Sequence, residues 1–175
     1  GVAFRLKGAG VVGLSYRLVD YGESQATDPQ GTPTGTLRSL DHFLVASFAT
    51  SMAAGVTAGI SYKLFQFRHD CSGFCEGGGF AATTHAVDFG VQYHPRLWPA
   101  LQLGASVTHM GLSLQVLNAE QADPTPTRLR VGGAYELMHH FTTDTTTALW
   151  ASLDVAGSWR DGVEPRVGAG VELVL

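Results

Sequence analysis

Two cysteines and a scatter of histidines are the side chains in this sequence best equipped for chemistry. Cys71 and Cys75 sit in the Gly-rich run DCSGFCEGGG with three residues between them. That spacing allows a small-ring disulfide, which suits an oxidising compartment such as a periplasm or cell surface. It also allows a metal pair with His69 and His85 as further ligands, or two free thiols. Metal sites usually show tighter, repeated Cys/His spacing, so the disulfide is the favoured reading. A Ser–His–Asp set could be assembled from His85, Asp88 and Ser106, but no G-x-S-x-G elbow occurs and the seven histidines are scattered. Polar groups lining one face of a sheet explain the same residues more simply.

GAGVVG at 8–13 matches the G-x-G-x-x-G dinucleotide fingerprint. The fingerprint works only where a helix follows and its N-terminus meets the pyrophosphate. Leu14 to Val19 instead continue a strand pattern, so no nucleotide, cofactor or metal is expected.

The elements that must position these residues follow from alternation. Val56, Ala58, Ile60, Tyr62 and Leu64 fall on one face, and Thr57, Gly59, Ser61 and Lys63 on the other. The same period of two runs through 87–94, 101–108, 129–137, 149–156 and 167–175, and a pleated strand between two unlike environments requires it. With two earlier strands near 11–21 and 41–53, about eight strands are expected. Short turns join them, apart from loops at 22–40, 70–80 and 114–127, so antiparallel hairpins are the economical arrangement. GLSYRL, GISYKL, GVQYHP and GAYELM form a weak repeat with Gly two or three residues before Tyr. Residues 43–62 lack a charge over the length of a membrane helix, and Gly55 and Gly59 make a GxxxG. Clean alternation in the second half predicts a hairpin turning near Ala53–Gly55 instead.

One face is uniformly apolar. The other carries Arg17, Lys63, Asp88, Gln92, Arg130, Glu136, Asp154 and Glu172 among glycines and hydroxyls. A soluble sandwich would alternate in the same way, but three features favour a membrane. The strands are about ten residues long, enough to cross a bilayer at a tilt. Aromatics (Tyr16, Tyr21, Tyr62, Phe65, Phe67, Tyr93, Trp98, Tyr135, Trp159) gather near strand ends, as interfacial girdles do. Glycine recurs on the polar face, where a lumen must be kept clear. The composition agrees, with 15% charged residues, 45% hydrophobic residues and 22 glycines in 175. Net charge is −4 with no basic run, which argues against nucleic acid. The expectation is one domain over residues 1–175, an all-β antiparallel transmembrane β-barrel. Its polar residues would line the lumen, and Arg130 would pair with Glu136 or Asp154 across strands.

From Ala86 to Leu137 the segments DFGVQY, LQLGASVTHMG and ADPTPTRLRVGGAYEL resemble the PorV family, a branch of the FadL-type outer-membrane barrels. Asp88, Gly90, Gly104, Gly111, Asp123, Pro124, Pro126, Leu129, Arg130, Gly132 and Tyr135 carry the resemblance, and His109 stands where the family usually has Asn. The resemblance implies a bacterial outer-membrane barrel of about fourteen strands, of which this chain supplies about eight. The chain is then expected to be incomplete at one or both ends. The small groups at 13, 15, 59, 61, 90, 104, 106, 132, 134, 168 and 170 fit that expectation, since they would fill a closed eight-stranded barrel poorly. By the same resemblance the protein is non-enzymatic and acts in type IX protein export or surface attachment. It would contact membrane lipid and meet envelope or secretion proteins through the loops at 22–40, 70–80 and 114–127. The competing expectations are a FadL-like channel or transporter for hydrophobic molecules and a small closed structural or enzymatic barrel.

Overall fold

The computed structural model describes residues 1–75, 78–111, 127–137, 148–158 and 165–174. They form one nine-stranded antiparallel sheet in which every strand pairs with its neighbours in sequence. The strands are β1 (Val2–Leu6), β2 (Gly10–Thr27), β3 (Pro33–Ser51), β4 (Val56–Gly73), β5 (Phe80–Tyr93), β6 (Leu101–Gly111), β7 (Arg128–Glu136), β8 (Ala148–Ser158) and β9 (Arg166–Val174). No α-helix occurs among the described residues, and the sheet does not close on itself: β1 and β9 are its two edges.

The alternation places most elements, with three corrections. The short strand β1 was not foreseen; it covers β2 only from Gly10 to Leu14. Most of 22–40 is strand, because β2 and β3 continue their ladder up to Thr27 and Pro33. The pattern breaks there because Tyr21 and Gly22 sit opposite Ser39 as a bulge, and the residues beyond are polar on both faces. Likewise 70–80 is strand at both ends, with β4 running to Gly73 and β5 starting at Phe80. The expected loop at 114–127 lies outside the described residues except for Thr127.

The uncharged stretch 43–62 is a hairpin turning at Ala53–Gly55, as alternation predicts. Gly55 (φ 82°) is required there: a Cβ would stand 2.3 Å from the His94 carbonyl oxygen, while the His94 N–H donates to the Gly55 carbonyl at 2.9 Å. Gly55→Val combines left-handed strain with a backbone clash and should lower stability by about 1–3 kcal/mol, read from urea unfolding followed by tryptophan fluorescence.

Most apolar side chains of this sheet do not meet in a core. Among the described residues the buried apolar ones are Cys75, Ala82, Ala86 and Ala100, and no large side chain is fully buried. Leu14, Leu18, Ile60, Phe89, Val131, Leu153 and Val171 are all exposed. The register puts every one of them on the same face, together with all four tyrosines of the repeat.

That apolar belt crosses the sheet obliquely. On β2 its topmost outward residue is Leu18, followed by Asp20, and on β9 it is Val167. Following partners across the sheet, the row of Leu18 meets β3 at His42. The row of Val167 passes through Val155, Val131, Ala105, Val91 and Ala58 and meets β3 at Thr50. From 42 to 50 is eight residues over the seven steps from β2 to β9, or about 1.1 residues per strand. At ~3.3 Å per residue along a strand and ~4.8 Å between strands, the belt slopes about 38° to the hydrogen-bonded rows. Intermediate strands follow the same line, with Leu64 before Gln66 on β4 and Val87 before His85 on β5.

Above the belt, β2, β3 and β4 rise further and turn charged on the same face. Arg38 pairs with Asp20 at 2.5 Å and Arg68 with Asp70 at 2.8 Å. The Arg38 hydrogen bond, aided by the Gly22 amide, holds the Asp20 carboxyl below its usual range.

Candidate functional site

The opposite face is concave. A trough of ≈ 640 Å³ is lined by residues of six consecutive strands, from Ser47 on β3 to Asp154 on β8. Six strands span about 24 Å, so a shared hollow requires the sheet to curl toward this side. The lining positions are mostly small: Ser47, Ala49, Gly59, Ser61, Gly90, Gly104, Ser106, Gly132 and Ala134.

All eight polar residues singled out in the sequence share this face. Arg17 and Lys63 lie at odd positions of β2 and β4; Asp88, Gln92, Arg130, Glu136, Asp154 and Glu172 lie at even positions of β5, β7, β8 and β9. They divide into separate groups. Lys63 and Asp88 form an ion pair at 2.5 Å with both side chains largely covered. Asp88 also accepts the His109 backbone N–H at 2.9 Å. That amide is free to donate because Thr108 and His109 together oppose Asp88 as a bulge, with His109 at φ 58°. Arg130 forms the expected cross-strand pair with Asp154, not with Glu136, and it is bidentate, at 3.0 and 2.9 Å. Asp154 fits because Gly132 and Gly168 lie beside it: a Cβ on either would stand 2.8 or 2.9 Å from Asp154 atoms. Gln92 lines the trough, and Glu136 and Glu172 flank Trp150 in one row at its lower rim. Arg17 lies higher, beside Phe43 in the register.

An aromatic cap over the upper trough was missed from sequence. Phe43 meets Phe65 and Phe67 edge-on at 5.5 and 6.3 Å, Phe65 stacks on His109 at 6.3 Å, and His69 stacks on Phe80 at 4.4 Å. Asp41, Ala82, Thr84 and Ala86 are buried in the same region, and Asp41 accepts the Tyr21 hydroxyl at 3.0 Å. Phe65 and Phe67 therefore belong to the concave face and not to an interfacial girdle; Trp159 lies outside the described residues. The signal was present, since Phe43, Phe65 and Phe67 fall in the polar phase of the alternation.

The catalytic set comes apart. His85 is on the convex face, where its Nδ1 bonds the Tyr62 hydroxyl, while Asp88 and Ser106 are on the concave one. The fingerprint GAGVVG is the β1–β2 turn followed directly by strand. Cys71 and Cys75 are joined as a disulfide, which removes them as metal ligands. The ring tucks back on β3, where the Phe74 N–H donates to the Thr34 carbonyl at 3.0 Å. Unreduced protein should show no alkylation of either cysteine by mass. Closing so short a ring is worth at most about 2 kcal/mol, so reduction should loosen 74–79 and leave the sheet folded.

What the fold and this face define is a class, an up-and-down antiparallel sheet with an apolar convex side and a polar concave side. No protein-family model matches the chain, and comparison with curated proteins finds no match.

Proposed function

We propose that this sheet is wall of a transmembrane β-barrel of the bacterial outer-membrane type, convex face to lipid and concave face to a lumen, and that it serves passage or export and not catalysis. The apolar belt carries this reading. Its slope of about 38° matches the 35–45° strand tilt of membrane barrels, so it becomes a level band when the strands are tilted by that amount. A soluble sandwich buries its apolar face against a second layer and has no need of a level band. Tyr16 and Tyr62 near the upper margin, and Tyr93 and Tyr135 near the lower, suit the two interfaces.

Flotation tests the reading: protein refolded with phosphatidylcholine vesicles should rise with the lipid through a density gradient, resist extraction at high pH and keep its strands from protease. Soluble, lipid-free protein with the same β-sheet spectrum would sink it.

The resemblance over Ala86–Leu137 favours an export or surface-attachment role, meeting envelope proteins through the hairpin at 28–32. The height of this hairpin above the belt supports that use. The trough, with the hydroxyl and charged side chains on its wall, favours solute passage, and measurable single-channel conductance in a planar bilayer would support passage over a closed docking barrel.

A further inference from the structure

The concave face is not evenly charged. Toward the upper end of β7–β9 the register gathers three arginines around small residues. Arg130 and Arg166 lie in one row on either side of Ala156, and Arg128 is two positions from Arg130 on the same face. All three are exposed, and their only carboxylate partner among the described residues is Asp154, which pairs with Arg130. At ~4.8 Å between strands, the backbones of Arg130 and Arg166 stand about 10 Å apart, and long side chains from both can converge over the alanine between them. Asp154, seated between Gly132 and Gly168, holds the Arg130 guanidinium through two hydrogen bonds and leaves its remaining N–H groups for another acceptor.

We propose that Arg128, Arg130 and Arg166 form a binding site on the concave wall for an anionic solute bearing phosphate or carboxylate groups. Planar guanidinium groups bind such oxyanions through paired, charge-assisted hydrogen bonds. Asp154 is the positioning residue for Arg130. The carboxylates of Glu136 and Glu172 at the lower rim repel the same solute, so the wall draws anions toward the arginine end. The site rests on the barrel reading, in which this face lines a lumen.

The test uses the full chain in phosphatidylcholine vesicles with phenylglyoxal, which modifies arginine, and peptide masses to locate the product. Inorganic phosphate at constant ionic strength should slow modification of Arg128, Arg130 and Arg166 and leave Arg96, in the β5–β6 turn, unchanged. Arg166→Gln should weaken phosphate protection of Arg130 roughly tenfold, the loss of about 1.4 kcal/mol of charge-assisted bonding, and Arg166→Lys should restore part of it. Equal slowing at Arg96 would overturn the site. So would protection that appears only when phosphatidylglycerol is added to the vesicles, since that would put the arginines against lipid headgroups. Protein that floats with vesicles but shows no phosphate protection refutes the anion site alone. Protein that does not float refutes the barrel reading and the site with it.

Discussion

Arginine in place of Phe89 should cost about 2–4 kcal/mol of folding free energy in a bilayer, while arginine in place of Gln92 should cost under about 1. The two residues are on one strand, three apart, and face opposite ways. Phe89 is 47% exposed, between Ile60 and Val107 in the middle of the belt, so a charge there would have to be desolvated in hydrocarbon. Gln92 looks into the open trough. Depth supplies a second control. Tyr93, paired with Leu103, lies at the lower margin of the belt, and Tyr93→Arg should cost only about 0–1 kcal/mol. Leu103 shares that row, but on β6 the sloping belt lies about one residue lower, so Leu103 stands between Tyr93 and Phe89 in depth and its cost should fall between theirs. Urea titration in vesicles measures all three. Equal costs at Phe89 and Gln92 would remove the membrane assignment, and equal costs at Phe89 and Tyr93 would remove the lower margin of the belt.

Removing the Asp88 carboxylate should be the most damaging change on the concave face. Asp88→Ala strands the Lys63 ammonium, whose side chain is 17% exposed, and orphans the His109 N–H. Breaking a fully buried pair costs about 3–5 kcal/mol; discounted for partial water access, the expected loss is about 2–3. Asp88→Asn keeps an acceptor for the His109 amide and removes only the charge, so about 1 kcal/mol should return. Lys63→Met combined with Asp88→Asn should recover most of the remainder. An alanine variant as stable as the parent would mean that water, not Asp88, satisfies Lys63. Asn and Ala variants of equal stability would mean that the bulge does not depend on the carboxylate.

Period two was enough to read the strand type, the antiparallel hairpins and the membership of the polar face, because side-chain direction in a strand is set by parity alone. The turn at Ala53–Gly55 was legible for the same reason, and Cys71 and Cys75 were close enough in sequence to propose their bond. Parity says nothing about height. Only the register shows that Leu103 stands beside Tyr93, that Asp154 comes close enough to meet Arg130, and that the apolar belt steps down by about 1.1 residues per strand. Bulges were illegible too, since one extra residue at Tyr21–Gly22 or at His109 changes the phase without changing composition. That is why 22–40 resembled a loop and why the hold of Asp88 on the His109 amide could not be foreseen. The sequence by itself determined two chemically different faces. The tertiary structure decided which of them is concave and which charges on it meet, because curvature and register depend on pairing between residues far apart in the chain.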